Sequence, residues 1–126
     1  MEIPKAAIVP FLDDLHREHF YAMIADDKTA KGDAERYQLF YVITGCDFLY
    51  RIRERIYDTK EHRLVALEQD NSGYPSHARK MLTRAMHLYN GLNADIPTVE
   101  LMRSLDAGNT KIMMYALGLY AHLYSI

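Results

Sequence analysis

The stretch from Ile112 to Tyr124 constrains the fold most, because it is apolar on nearly every side. Its sequence is IMMYALGLYAHLY, about 13 residues, whereas a helix that crosses a bilayer needs about 17–25. A helix on the surface of a globular protein carries a polar stripe, which this stretch lacks. We therefore expect a buried helix at the centre of a bundle, with the rest of the chain packed around it.

The remaining apolar residues recur with the period of helices, and no alternating pattern bounded by turn signals indicates a strand. A first helix is predicted from Val9-Pro10 to about Asp27. Its inner stripe would carry Leu12, Leu15, His19 and Met23, with Phe20 and Ile24 beside it. A capping box at residues 58–61 predicts another short helical piece. N-cap residues, glycines and prolines predict helices over residues 33–45, 47–57, 76–90 and 109–126, and a short helix over residues 96–105.

These elements predict an all-α fold, a compact single-domain bundle of five to six helices. A chain of 126 residues fits one domain, which we expect to span residues 1–126, with residues 1–9 flexible. Cys46 is the single cysteine, so an intrachain disulfide is excluded. The first residues show no charged segment followed by a sustained apolar run. We therefore expect a cytoplasmic protein that does not enter a membrane.

Two histidines three residues apart raise the question of a metal site. In the segment DDLHREHF, His16 and His19 share one face of a helix, but zinc at a catalytic site needs three protein ligands. The zinc-protease pattern places its histidines at i and i+4, and no second pair at ligand spacing follows in the chain. We predict no metal and no cofactor, with His16 near the solvent face and His19 at the border with the core.

Cys46 stands just before a predicted helix, where a thiolate is favoured, so a nucleophile is conceivable. The nearest histidine in the chain is His62, and free cysteines are among the most buried residues, so we expect Cys46 in the core or at a helix junction. The sequence also lacks a glycine-rich phosphate loop, Gly-x-Ser-x-Gly and a dinucleotide fingerprint. These features favour a protein that is not an enzyme and has no catalytic residues.

Charge is distributed unevenly along the chain, whose net charge is -2. Residues 1–35 carry four Lys/Arg and eight Asp/Glu, whereas residues 36–90 carry nine Lys/Arg and six Asp/Glu. The basic part can pair with the acidic part inside one fold, or it can face an acidic partner or a nucleic acid. No zinc-finger spacing or helix-turn-helix pattern accompanies it. The predicted binding residues are Arg51, Arg53, Arg55, Arg79, Lys80 and Arg84.

The apolar last helix has a second interpretation, since one of its faces could meet another subunit. Tyrosine and methionine are enriched at interfaces, where amphipathic rings and adaptable thioethers pack well. We predict a core contact on one side of this helix and a homodimer contact on the other, formed by Met113, Tyr115, Tyr120 and Tyr124.

Four short motifs follow one another in a definite order: Tyr37-Gln38-Leu39-Phe40-Tyr41, a break at Gly45, Ile56-Tyr57-Asp58, and Leu88-Tyr89-Asn90. In their order and spacing, residues 11–91 resemble a family of small uncharacterised helical proteins of bacterial phages, plasmids and conjugative elements. The chain has no tryptophan, where that family's pattern has one in a loop. The resemblance implies an accessory protein of a mobile genetic element, and it implies no catalytic residue and no cofactor.

The sequence as a whole predicts a non-enzymatic domain that docks a surface bearing tyrosine and arginine onto another protein. For an accessory protein of a mobile element, one concrete version is an inhibitor of a host defence complex. One alternative is a small nucleic-acid-binding regulator that uses its basic helical face. Another is a metal-dependent enzyme built on His16 and His19.

Overall fold

Aspartate side chains begin three of the helices, because a carboxylate oxygen can accept from the backbone N–H groups that the first turn leaves without partners. In the computed structural model, which describes residues 7–66, 70–90, 101 and 103–126, Asp13 accepts from the amide of His16 at 2.8 Å. Asp33 and Asp106 cap two further helices in the same way. The helices are α1 (Asp14–Asp27), α2 (Ala34–Gly45), α3 (Asp47–Arg51), α4 (Ser76–Asn90) and α5 (Ala107–Tyr120).

The described part of the chain also contains four short strands, which form two pairs. Strand β1 (Ala7–Ile8) pairs in parallel with β4 (Tyr124–Ser125), and β2 (Tyr57–Asp58) pairs antiparallel with β3 (Arg63–Leu64). The protein is therefore mostly helical, as the sequence predicts, with small strand pairs that the sequence analysis did not predict. The predicted helices over 33–45 and 76–90 are confirmed. Most of the predicted helix over 96–105 lies outside the described residues, although residues 101, 103 and 104 are helical.

The central helix is α2 rather than the apolar last helix. Every residue from Tyr37 to Thr44 is buried, and α2 packs against α1, α4 and α5. In α5 the side chain of Met114 is 57% exposed and that of Tyr120 is 43% exposed, so the helix lies at the edge of the core. The expectation that Ile112–Tyr124 forms the centre is corrected, because an all-round apolar helix can also leave large side chains at the surface.

The inner face of α1 agrees with the predicted one only in part. Leu12 is 44% exposed and Leu15 is 55% exposed, whereas His16 is buried together with Phe20 and Met23. The helix begins at Asp14, one residue after its cap, instead of at Val9-Pro10. Met23 is buried as predicted, but in the first turn His16 replaces Leu15 on the inner face, because a neutral imidazole with both nitrogens bonded can occupy the core in place of a leucine.

The segment after α3 is a turn and a hairpin instead of the predicted helix over 47–57. A 3₁₀ turn at Arg53–Arg55 follows α3, and the chain then enters β2. The Asp58 carboxylate accepts from the amides of Lys60 at 2.9 Å and Glu61 at 3.1 Å. The residues that suggested a capping box therefore close the β2–β3 turn, since aspartate favours turns for the same reason that it favours caps.

The last helix ends at Tyr120 and leads into β4, so it does not continue to residue 126 as predicted. A Cβ at Gly118 would collide with the ring of Tyr124, so glycine allows β4 to fold back against α5. Beside β4, Val9 is buried and donates its amide to Ser125 at 2.8 Å. Of the nine residues expected to be flexible, residues 1–6 lie outside the described part of the chain. Within the residues that the structure describes, no helix has the length and apolar character needed to cross a membrane.

Candidate functional site

The segment Tyr50–Arg55, here called the arginine segment, holds one guanidinium against an aromatic stack. The imidazole of His19 lies parallel to the ring of Tyr50, with a centroid distance of 3.8 Å and an angle of 8°. The guanidinium of Arg53 lies 4.2 Å from the centroid of the same ring. Since both groups lie within about a van der Waals distance of one ring, they occupy its opposite faces. A cation over a tyrosine face is attracted by the ring quadrupole.

A second arginine of this segment faces an aromatic side chain from the loop before α4. The guanidinium of Arg55 lies 5.9 Å from the ring centroid of Tyr74, and Tyr74 packs edge-on against Phe48 at 5.2 Å. These contacts join the turn after α3 to the start of α4. Arg51 is exposed and donates from Nε to the carbonyl of Asp47.

Two clefts flank the arginine segment. One has a volume of about 350 Å³ and includes Arg53 among its lining residues, with Asp26 from α1 and Tyr57 from β2. The other, of about 360 Å³, includes Arg51 and, at the start of α4, His77. The arginine segment therefore contributes side chains to both clefts, and its three basic residues Arg51, Arg53 and Arg55 are here called the ridge.

A buried carboxylate lies at the end of α1. Asp27 is 2% exposed and accepts from the Tyr57 hydroxyl at 2.7 Å and from Nδ1 of His62 at 2.9 Å on one oxygen. Its other oxygen accepts from Thr29 at 2.7 Å and lies 3.8 Å from Nε of Arg36. These five residues, here called the Asp27 cluster, connect α1, α2 and the β2–β3 hairpin. Arg36 also donates to the backbone carbonyl of His62 at 3.3 Å.

The donors around Asp27 keep it ionised. Burial alone would raise the pKa of this carboxyl, but the hydrogen bonds from Thr29, Tyr57 and His62 and the charge of Arg36 hold the pKa below its ordinary value. Burial, together with the neighbouring carboxylate, raises the pKa of Tyr57. The cluster thus contains a stable anion and a neutral phenol that donates to it.

The comparisons with known proteins agree with the predicted resemblance at its broadest level. A family model described as "Family of unknown function (DUF6075)" matches residues 6–124. The chain belongs to DUF6075. No curated protein and no solved structure matches it. The family's description names no activity, so the site is interpreted from its geometry.

The six basic residues predicted in this DUF6075 chain do not form one stripe. Arg79 is exposed, whereas Lys80 and Arg84 are half-buried. At about 100° per residue, Arg79 and Arg84 point about 140° apart around α4. Lys80 and Arg84, four residues apart, share one face of the helix. The structure therefore brings Arg53 and Arg55 into aromatic contacts but divides the basic residues of α4 between different faces.

Both histidines of DDLHREHF make contacts within the fold of this DUF6075 member: His19 stacks on Tyr50, and His16 is hydrogen-bonded through both ring nitrogens. The amide of Leu12 donates to Nδ1 of His16 at 3.2 Å, so Nε2 carries the proton and donates to the carbonyl of Tyr41 at 3.1 Å. Burial lowers the pKa of His16, which favours this neutral form. The predicted position of His16 near the solvent face is wrong. Among the described residues, no group of three or more His, Cys, Asp or Glu could hold a metal ion.

Cys46 lies at a helix junction, between α2 and α3, and is 3% exposed. Burial raises the pKa of its thiol, although the amides of Leu49 and Phe48 act in the opposite direction. Its position agrees with the predicted helix junction, and burial disfavours the thiolate, which is the reactive form.

The four residues predicted for a homodimer contact occupy different positions in the DUF6075 chain. Met113 is completely buried and presents no surface to a second copy. Tyr115 and Tyr124 pack edge-on against each other, with a centroid distance of 5.7 Å, and both are half-buried. Tyr120 is exposed. The helix therefore offers less interface than its composition suggests.

The Asp27 cluster was not predicted from the sequence, because its members come from distant parts of the chain. One local signal was present: Asp26 and Asp27 end α1, where the helix dipole disfavours a carboxylate. An acid at such a position needs donors from elsewhere. Its partner His62 is 35 residues away, and no periodicity points to it.

Proposed function

We propose that this chain is a domain that binds another protein through the arginine segment, and that this binding involves no chemical step. The observation that supports the proposal is the stack in which Tyr50 lies between His19 and Arg53. A guanidinium that is already held in place loses less rotamer freedom on binding, and pre-ordered side chains favour affinity. Tyrosine and arginine are also the residues that most often carry the binding energy of interfaces.

The proposed partner presents an acidic surface. Arg51 and Arg55 are exposed beside the stack, so the ridge carries positive charge toward solvent. Complementary charge accelerates encounter and selects partners. The implied origin, on a bacterial phage, plasmid or conjugative element, belongs to this proposal, as does the concrete version in which the partner is a host defence complex that the protein inhibits.

The test is a pull-down from lysate of a bacterial host, with the full chain as bait and with and without nuclease. Arg51→Gln/Arg53→Gln removes two charges from the ridge. Arg103→Gln/Lys111→Gln is the matched control, since it removes two exposed charges elsewhere. The proposal predicts one protein that is captured in both nuclease arms, kept by the control and lost with the ridge variant.

A functional assay extends this test to the defence version. Cells that express the protein should be infected by a phage that the host defence otherwise restricts, and the ridge variant should not allow this. The proposal fails if no protein is captured and if restriction is the same with and without the protein.

A nucleic-acid-binding regulator is the second candidate, favoured by the excess of nine Lys/Arg over six Asp/Glu in residues 36–90. It predicts that the captured material disappears with nuclease. Binding of a labelled duplex should then weaken steeply as salt rises, since each phosphate contact releases a counterion. Absence of binding at low salt would exclude this candidate.

A homodimer through the exposed end of α5 is a further part of the proposal. Tyr120 is 43% exposed and Leu123 is 68% exposed, and large exposed apolar side chains of this kind occur at interfaces. Light scattering after gel filtration should give twice the chain mass of 14.6 kDa. Tyr120→Lys should give the monomer mass, and a monomer for the unaltered chain contradicts the proposal.

A further inference from the structure

We propose that His62 and Asp27 form a nucleophilic pair that attacks activated carboxylic esters through Nε2 of His62. The pair lies outside the arginine segment, and the proposal does not depend on protein binding. Its basis is the orientation of one imidazole by one buried carboxylate, with the far side of the ring open to solvent.

The tautomer of His62 follows from its partner. An ionised carboxylate can only accept, so Nδ1 of His62 must carry the proton that it shares with Asp27 across 2.9 Å. In the neutral ring the lone pair is therefore on Nε2. The His62 side chain is 51% exposed, whereas that of Asp27 is 1% exposed. The carboxylate is thus shielded from water, and the imidazole that it orients is accessible.

The carboxylate is itself fixed on both oxygens. Tyr57 donates to the oxygen that His62 uses, and Thr29 donates to the other. Arg36 holds the backbone of His62 through its carbonyl. Such support restricts both partners of a proton-sharing pair to one geometry, which is the arrangement that activates histidine in nucleophilic catalysis.

The backbone of His62 supplies a matched comparison within the same chain. His62 has a φ of 56° and His122 has a φ of 61°, both in the left-handed region that non-glycine residues rarely adopt. Both side chains are exposed. His62 has a carboxylate on Nδ1, whereas no hydrogen bond or ion pair of the His122 ring is found within the part of the chain that the structure describes. The left-handed backbone is common to both residues, so the carboxylate distinguishes His62.

The reaction proceeds in two balanced steps. Nε2 of His62 attacks the carbonyl carbon, the bond to the leaving oxygen breaks, and the leaving group departs with the electron pair. The acylated ring is cationic, and Asp27 stabilises this charge through Nδ1–H. Water then attacks the acyl carbon and breaks the C–N bond, which releases the carboxylate product, passes two protons to solvent and restores neutral His62. Asp27 acts as a positioning residue.

The probe is p-nitrophenyl acetate, and the measurement is p-nitrophenolate release by the full chain between pH 5 and 9. His62→Asn removes the nucleophile with a residue that tolerates the left-handed backbone, and His122→Asn is its control. We expect His62→Asn to lose at least about tenfold in rate, the low end of what one activated group supplies. Asp27→Asn, which removes the charge that orients the imidazole, should lower the rate.

A second measurement does not depend on turnover. Diethyl pyrocarbonate acylates accessible neutral imidazoles, and mass spectrometry locates the modified residue. His62 should react faster than His122 in the same molecule, and Asp27→Asn should remove the difference. Equal labelling of His62 and His122, or a rate for His62→Asn within twofold of that for His122→Asn, would overturn the proposal. If Asp27→Asn does not fold, the comparison of the two histidines still decides it.

Discussion

The imidazole of His16 lies directly against the backbone of Gly45, so that a Cβ at position 45 would stand 3.1 Å from Nε2 of the ring. The same Cβ would stand 3.0 Å from Cγ1 of Ile112, which approaches from α5. Gly45 therefore allows α1, α2 and α5 to meet at one point. It is the last residue of α2 and has no positive φ, so its role is close packing rather than a left-handed helix end.

Gly45→Ala should destabilise the protein. Overpacking a core costs about 1–3 kcal/mol, whereas alanine in place of a helical glycine gains at most about 1 kcal/mol. The net loss in the free energy of unfolding should therefore be about 1 kcal/mol, measured by chemical denaturation. Gly73→Ala is the control, because a Cβ there meets nothing within 4 Å. Adding Ile112→Val to Gly45→Ala should recover part of the lost stability. If the changes in unfolding free energy of the two substitutions simply add, the side chains at positions 45 and 112 do not compete for space.

The stability of the protein should depend on His16 between pH 7 and pH 5. Burial lowers the pKa of His16 in the folded state below its ordinary value of 6.5. Below pH 6.5 the unfolded chain therefore binds a proton that the folded chain does not, and stability falls by up to about 1.4 kcal/mol per pH unit. His16→Gln should flatten this dependence, and His77→Gln, at an exposed site, should not. An equal slope for all three proteins would contradict the burial of a neutral ring.

Asp27 should control stability at lower pH. Its folded pKa lies below the ordinary value of 3.8, so its contribution is present above pH 3.8 and is lost as pH falls through the folded pKa. Asp27→Asn should lower the free energy of unfolding at pH 7 by about 1–3 kcal/mol, because charged hydrogen bonds are lost. It should also make the loss between pH 4 and pH 2 less steep. Asp26→Asn, the exposed neighbour, should behave like the unaltered chain in acid titrations followed by circular dichroism.

Gly118→Ala should release β4 from α5. The new methyl group would occupy the position of the Tyr124 ring, and β4 would have to move. The amide of Val9, which donates to Ser125, should then exchange its hydrogen faster with solvent deuterium. At Gly108 a Cβ would meet its nearest neighbour at 3.6 Å, an ordinary contact, so Gly108→Ala should leave Val9 protected. Unchanged exchange in both variants would show that Tyr124 moves without disturbing the strand pair.

Gln38→Met should stabilise the protein. Gln38 is completely buried in α2, and neither its amide nitrogen nor its amide oxygen has a hydrogen-bond partner in the described part of the chain. A buried amide without a partner costs about 1–3 kcal/mol, and methionine has a similar volume and shape without that cost. The midpoint of thermal unfolding should rise. Gln38→Glu should lower it at pH 7, because a buried charge is less tolerable than a buried amide.

Local signals predicted the helices well where one residue type decides the boundary. Asp33 and Gly45 mark the ends of α2, and Ser76 begins α4, as expected. The hairpin was missed because β2 and β3 are two residues long, which leaves too little alternation to detect. The burial of His16 was missed because it depends on a carbonyl 25 residues away.

The candidate site likewise has parts that could be predicted from local sequence and parts that could not. Arg53 and Arg55 could be identified as basic residues. Arg53 has its aromatic partner, Tyr50, within the same segment, but the stacking of His19 on Tyr50 and the contact of Arg55 with Tyr74 are set by how α1 and the loop before α4 pack. The Asp27 cluster depends entirely on the tertiary fold. Composition identifies which residues carry charge, and long-range packing decides which of them are oriented.

The parallel pairing of β1 with β4 joins Ala7 to Tyr124, across almost the whole length of the chain. Closing so large a loop costs conformational entropy that only a few backbone hydrogen bonds and one aromatic contact offset. The helices, whose contacts are mostly local, can form without it. The strand pair should therefore assemble after the transition state of folding, and substitutions that weaken it should accelerate unfolding while leaving the folding rate nearly unchanged.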